Sequence, residues 1–555
     1  MTPTATSATR WALALACAGA LATPAQAQPS TTAAAPETSA AAAESPVQVR
    51  GFKVDGATLI DAGRLQARLA PWLGSRSLAQ LRQAAMAVQG LYTAEGYGAV
   101  VAYLPPQAVD DGIVTIAVVE GRIGQVSVRG AKRQSAEQLR AALPSLVEGV
   151  TPRLRRIDAE LQIANENPGR QVSVLLGPGS APGLVEATVQ VDEQALQRWN
   201  LALDNSGNRR TGDYRLSLGW QHADLSGHDD VLSVQLQTSP TRSSAVQVIS
   251  AGYRLPMVRR LSALDLFAAY SNVDGGLTPT SAGNLSFTGK GRVAGARSIW
   301  YLPRRGEYDQ RLTLGLEHRD YLNQCAISGL PAGACGPAGE SVSVQPLSID
   351  YAAQTGGASA AGFGVSLAHN LAWGGQHGSA ASFASVRQGA RPGYTVLRAA
   401  ANLSLPVFDD WTLAGRVALQ HSDALLVPGE QFGLGGAASV RGYQEREIAG
   451  DRGVLVSLEL VSPGLLGAAG AAGVAGAPAT DLRLLAFVDG GEVANRDATA
   501  CVGNRSRCTL AAVGLGLRLN RGGLRFRLYL AQALDDAIST RRKDWRAHGG
   551  LNLSF

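Results

Sequence analysis

Tyr214-Arg215-Leu216-Ser217-Leu218-Gly219-Trp220-Gln221 alternates a large apolar residue with a polar or small one, apart from Tyr214 and Arg215 at its start being both bulky. Successive side chains of a strand point to opposite faces, so a period of two makes one apolar face and one polar face. The pattern returns at Leu232, Val234 and Leu236, at Leu312, Leu314 and Leu316, and at Leu524, Phe526, Leu528 and Leu530. Runs of about nine to eleven such residues suit a strand with lipid on one side and a polar lumen on the other. Hydrocarbon offers backbone amides no partner, so such strands must close on themselves. A soluble β-sandwich alternates in the same way on shorter strands. The leader at the start of the chain, the strand length and the Leu551-Asn-Leu-Ser-Phe555 stretch favour the barrel. From Trp199 to Phe555, at roughly 22 residues per strand and connection, there is room for about sixteen antiparallel transmembrane strands.

Upstream of the barrel the period changes. Residues 1–27 read as an export signal: Arg10 gives the charge, Trp11 to Ala22 the apolar run, and Ala25-Gln26-Ala27 the cleavage site. Residues 28–45 are Ala, Thr, Ser, Pro and Glu without an apolar period, which predicts a flexible tether. Residues 46–121 read as strand (Val47 to Val54), two helices (Leu59 to Leu73, Leu78 to Glu95) and two strands. Leu81, Ala85, Val88, Leu91 and Tyr92 share one face of the second helix. Residues 122–195 repeat that order, and Thr151-Pro152 opens a helix there with a cap residue and a proline. The result is two copies of one small α+β module, followed by the barrel at 198–555.

Charge is modest at 17% and the net charge is +6, with no aromatic-basic face, so nucleic acid is not a partner class. Four cysteines form two close pairs in loop-like segments, Cys325 with Cys335 and Cys501 with Cys508. An exported chain meets an oxidising compartment, which predicts two small disulfides; neither pair has further ligands at metal spacing. The seven histidines are dispersed and no G-x-S-x-G occurs. Gly289-x-Gly291-x-x-Ala294 fits a dinucleotide fingerprint but lies within strand-like alternation. No metal, cofactor or catalytic set is therefore expected, and an enzyme barrel would need a Ser/His/Asp set on adjacent strands.

Residues 429–453 are too rich in glycine and charge for a strand or helix, and a loop this long between strands is usually functional. It holds Gly435-Gly436, Ser439-Val440-Arg441-Gly442-Tyr443 and Gly450-Asp-Arg-Gly453; Phe487-x-Asp489-x-Gly491 follows downstream. The order of leader, two modules and barrel resembles the outer-membrane transporters of two-partner secretion. These are the TpsB group of the Omp85 superfamily, which includes haemolysin secretion/activation proteins. The small modules look like POTRA domains. The two glycine-rich motifs look like the family's infolded loop and its partner on the barrel wall, and Asp204-Asn-Ser-Gly207 with Thr211-Gly212 resembles its first hairpin. Many members carry a helix that plugs the pore, and the tether here is short and poorly amphipathic for one.

The resemblance implies an outer-membrane pore that exports a large unfolded β-rich exoprotein of haemagglutinin or haemolysin type, with the modules in the periplasm. It also implies an ion pair between Arg441 and Asp489 in the lumen, contact with outer-membrane lipid, and a barrel-assembly signal at Phe555. Arg with Asp can pair through two parallel hydrogen bonds. Gly442 permits the turn at the loop tip, and Tyr443 can pack its ring and bond its hydroxyl. Asp489-Gly490-Gly491 alone would pass for a hairpin turn. Strand edges suit an unfolded client, and the candidates are Val100, Val101 and Tyr103 in the first module and Val172 and Val174 in the second. The alternative is an insertase that assembles other barrels, whose relatives usually carry more POTRA modules. A passive porin lacks the modules altogether.

Overall fold

In the first module β1 (Val47–Val49), β2 (Gly51–Asp55), helix α1 (Ala62–Leu69), β3 (Gly74–Arg76), α2 (Leu78–Ala94), β4 (Val100–Tyr103) and β5 (Ile113–Glu120) follow in order. This is a computed structural model, and it describes residues 46–109, 111–209, 211–280, 283–322, 340–357, 359–466, 480–497, 500–502 and 504–555. The leader and the tether lie outside the described residues. So do Cys325 and Cys335, expected above to form a disulfide. Strand β2 runs parallel to β5 and β4 antiparallel to it, giving the order β2-β5-β4. The helices cover one face of that sheet, where Leu81, Val88, Tyr92, Val114 and Ile116 form a closed core. Ser77 caps α2 through a reciprocal pair of bonds with Gln80. One detail departs from the sequence reading. The predicted strand from Val47 to Val54 is interrupted at Arg50, and its first part pairs with Gly74–Arg76 in a ribbon of its own.

The second module repeats the layout with β6 (Arg122–Arg129), α3 (Ala136–Ala141), α4 (Leu154–Asn165), β7 (Arg170–Pro178) and β8 (Leu184–Glu193), in the sheet order β6-β8-β7. The repeat extends to single residues. Gly56 and Gly130 both adopt positive φ, and a Cβ on either would meet a carbonyl oxygen, of Val118 or Val191, at 2.2 Å. Glu120 accepts from the Thr58 and Leu59 amides, and Glu193 from those of Lys132, Arg133 and Gln134. Burial pushes the Glu120 carboxyl up. The bonds from Thr58, Leu59 and Tyr92 outweigh that and hold it below the usual carboxylate range.

Only Gly121 separates β5 from β6. The joint is closed by Leu154 N donating to Gly96 O at 2.8 Å and by the Arg153 guanidinium donating to the Tyr97 hydroxyl at 2.7 Å. The second module sits on the barrel mouth. Buried Arg170 grips Asp229 with two bonds of 2.7 Å, and Gln162 donates to Asp309 at 2.7 Å.

The barrel closes through sixteen antiparallel strands, from Gln197–Asp204 to Trp545–Ser554, the eighth being broken at Gln345 between Val342–Val344 and Pro346–Gln354. First and last strands pair from Asn200↔Ser554 to Asp204↔Gly550. Leu201, Leu203, Ile249, Leu314, Leu316, Ile349 and Leu367 are exposed on the outer wall, an apolar belt of the kind lipid covers. No helix among the described residues is long and apolar enough to cross a membrane. A short helix, Ala380–Val386, interrupts the all-β region that alternation predicts; Phe383 and Val386 seat it against Val342, Tyr394 and Leu426.

Candidate functional site

The loop of residues 429–453 lies between the strands Thr412–Ser422 and Arg452–Val461 and folds into the lumen. It contains a two-stranded ribbon, Phe432–Leu434 against Ile448–Gly450, where the sequence pattern showed none. Carboxylates hold it at three places. Glu430 takes Arg319 at 2.8 Å and the Tyr321 hydroxyl at 2.6 Å. Asp451 accepts from Leu426 N and Arg496 N at 2.9 Å and pairs with Arg387. Glu447 accepts from Ser539 N and Thr540 N at 2.7 Å, tying the loop to the last connection of the barrel.

At the tip Arg441 is 3% exposed and Asp489, in the strand Thr480–Ala494, is 0% exposed. Arg441 Nε donates to Asp489 Oδ2 at 2.7 Å, Nη2 to Oδ1 at 2.8 Å, and the Arg441 backbone N to Oδ2 at 3.1 Å. Bidentate geometry fixes direction as well as charge. Residues absent from the sequence reading complete the set. Glu459 accepts from Arg441 Nη1 at 2.6 Å and from Arg518 Nη2 at 2.6 Å, and Ser457 Oγ donates to Asp489 Oδ1 at 2.7 Å. Two arginines thus meet two carboxylates, and the cluster is neutral. The Arg441 guanidinium also lies 3.5 Å from the Phe487 ring centroid and 5.0 Å from that of Tyr529.

The neighbouring residues seat the tip. Gly442 adopts φ +94°, and its N–H donates to His548 Nε2 at 3.0 Å. Val440 and Tyr443 are fully buried with Leu434, Ile448, Leu510 and Ala512. The Tyr443 hydroxyl lies 2.9 Å from Ala511 O and 3.0 Å from Asp535 O, and it accepts from Asp535 N. Gly491 makes room for Leu434, whose Cδ1 a Cβ would approach to 2.7 Å. The parity of the strands gave one available signal for Glu459 and Arg518. Both occupy inward positions of alternating strands, where a charge needs a partner.

Of the two expected disulfides, the described residues hold one. Cys501 and Cys508 are bonded, and their sulfurs border the loop's apolar cluster. The expected bond between Cys325 and Cys335 is not among the disulfides of the described residues, because both cysteines fall in the stretch 323–339 outside them. The Cys501–Cys508 bond closes a short loop, so by chain entropy it contributes about 2–3 kcal/mol. Replacing both of these cysteines with serine is expected to lower the temperature at which the folded barrel loses its fast gel migration by a few degrees, with secretion retained; loss of the folded form at ambient temperature would contradict this.

The edge candidates fall into two groups. Ala102 N, on the outer edge of β4, is taken by Gln89 Oε1 at 3.2 Å, while Val101 and Tyr103 point their side chains to solvent. Asn165 occupies both outward groups of Val172, at 2.6 Å to N and 2.9 Å to O. By the period of two, Val100 on β4 and Val174 on β7 also direct N–H and C=O outward, and no bond to those groups occurs among the described residues.

Residues 186–519, more than half of the chain, match the family described as haemolysin secretion/activation protein ShlB/FhaC/HecB. The chain belongs to that family. Residues 47–121 match the ShlB-type POTRA domain. The chain is 24% identical over 418 residues to the outer membrane transporter CdiB of Dickeya dadantii, covering 74% of this chain and 72% of that protein. It is 25% identical to the heme/hemopexin transporter protein HuxB of Haemophilus influenzae over 164 residues, 29% of each chain. The fold is shared with CdiB from Escherichia coli, with a TM-score of 0.73, 21% identity and coverage of 94% of this chain and 93% of that one. CdiB from Acinetobacter baumannii gives a TM-score of 0.67 at 18% identity, covering 99% and 97%. As a ShlB/FhaC/HecB protein it is a TpsB-type secretion pore of the Omp85 superfamily, set in the outer membrane with its POTRA modules in the periplasm.

Proposed function

We propose that this transporter exports one large, unfolded, β-rich exoprotein of the haemagglutinin or haemolysin class. Its POTRA edges bind the client, and the client's folding outside makes passage one-way. The observation that carries the proposal is the buried Arg441–Asp489 pair, which holds an extracellular loop inside a closed barrel. Such a pair adds little net stability but is suited to holding one conformation. In this proposal residues 1–27 direct export and are removed, and 28–45 form a flexible tether ahead of the modules at 46–121 and 122–195. Lipid covers the barrel belt, and Phe555 is read by the barrel-assembly machinery.

The test is reconstitution. Proteoliposomes holding the transporter, without nucleotide, are expected to move a urea-unfolded client across the bilayer and to leave a pre-folded client outside. Dependence on ATP, or equal passage of the folded client, would overturn the proposal.

A further inference from the structure

The charges on the lumen wall are unequal. A cavity of about 490 Å³ is lined by Arg254, Arg297, Arg311, Arg319 and Arg398, with no lysine among them. Three carboxylates, Asp265, Glu317 and Asp350, face the same space. Asp265 takes two bonds of 2.8 Å from Arg254, Glu317 takes Arg297 and Arg319 at 2.7 Å each, and Asp350 accepts from Ser348 at 2.9 Å. Further neutralisation comes from elements that do not belong to the wall. Glu166, at the end of α4 in the second module, pairs with Arg254, and its other oxygen lies 3.8 Å from Arg311. Glu430, at the base of the infolded loop, takes Arg319 at 2.8 Å and Arg398 at 3.5 Å. A second cavity of about 690 Å³ continues beside α4, lined by Arg304, Arg311 and Arg416 and by Asp158, Glu166 and Asp309, the last paired with Arg304 at 2.9 Å. Arg416 Nε is buried there without a hydrogen-bond partner.

A guanidinium with an incomplete set of partners in a confined lumen is a carboxylate site, because its donors match two oxygens at once. On the export reading, both supplied carboxylates sit on elements that a passing chain displaces. We propose that the lumen recognises acidic stretches of the client, whose carboxylates replace Glu166 and Glu430 on Arg311, Arg398 and their neighbours. Displacing the module end and the loop base is then an exchange of one carboxylate for another. Arg311 and Arg398 stay partly open to the lumen, while the more enclosed Arg254 and Arg319 keep Asp265 and Glu317 throughout, so breaking the resting pairs strands no buried charge. Once Glu166 and Glu430 are displaced, a basic stretch meets five arginines against three carboxylates on the wall of the first cavity. The inference rests on the export reading above and adds the chemistry of the segment that enters first.

Binding of fluorescent hexaglutamate and hexalysine to the full-length transporter in neutral detergent, read by anisotropy at low salt, tests it. Hexaglutamate is expected to bind at least about tenfold tighter, and added salt should weaken it. Glu166→Gln leaves Arg311 without that carboxylate and is expected to tighten hexaglutamate binding roughly threefold; Arg311→Gln loosens it by a similar factor. Equal binding of the two peptides by the unaltered protein, or no change with Glu166→Gln, overturns the proposal. Neither readout involves the client, so a failure here is distinct from a failure of export.

Discussion

Arg441→Ala is expected to cut secretion of the client by about tenfold or more while the amount of folded transporter in the outer membrane stays unchanged. The side chain removed makes two bonds to Asp489, one to Glu459 and one to Ser457, and lies against Phe487. Its loss leaves a carboxylate that is 0% exposed facing only Ser457 and the loop backbone. Breaking one side of a buried pair costs about 3–5 kcal/mol, and this falls on the docked position of the loop. The ladder bonds of the sixteen strands do not involve the side chain, so assembly proceeds. Arg441→Lys keeps the charge and loses the fork, and an intermediate level is expected. In the Arg441→Ala/Asp489→Ala double variant the second change should add little to the first, since each removes the same contact. Client in the medium, normalised to transporter in the membrane, is the measurement. Wild-type secretion by Arg441→Ala would remove the pair from the mechanism.

Why some of this was legible in the residues and some was not has a physical basis. A period of two is a local property, so Tyr214–Gln221 and Leu524–Leu530 announce their strands without knowledge of any neighbour. Closure and strand number follow because lipid forbids a free edge. The loop stands out by its glycine and charge content, but its pairing with the wall motif is visible only through family resemblance; Asp489-Gly490-Gly491 in isolation looks like a turn, and it lies in mid-strand. Alternation says that Glu459 and Arg518 face inward, and it says nothing about their height in the barrel. Height is set by register, such as Glu459↔Phe487 and Phe487↔Gly514, which no single strand encodes. The helix Ala380–Val386 is seven residues long, too short to show a period of 3.6. Gln89 and Asn165 read as ordinary polar helix positions until the fold places them on strand edges.

Those two amides bear on where a client can dock, and they lead to the second large effect. A peptide adding to a sheet edge needs outward N–H and C=O groups at alternate residues. On β7 Asn165 has already engaged both groups of Val172, so the open part of that edge begins at Val174. On β4 Gln89 covers the Ala102 N–H and leaves the Val100 groups open beside the exposed side chains of Val101 and Tyr103. Proline separates the two edges cleanly. Val174→Pro removes a donor that points away from β8, so the sheet keeps its ladder and loses one docking bond. Ser173→Pro removes a donor directed at β8 and serves as the control for damage to the module. A lost main-chain bond is worth about 0.5–1.5 kcal/mol, and the ring also blocks close approach, so roughly a tenfold fall in client binding is expected at whichever edge is used. Val100→Pro makes the same test on the first module. If export falls with Val100→Pro and not with Val174→Pro, the first module carries recognition; the reverse result assigns it to the second. Unchanged export with both variants, each present at normal levels, would rule out strand addition and leave side-chain contacts as the means of recognition.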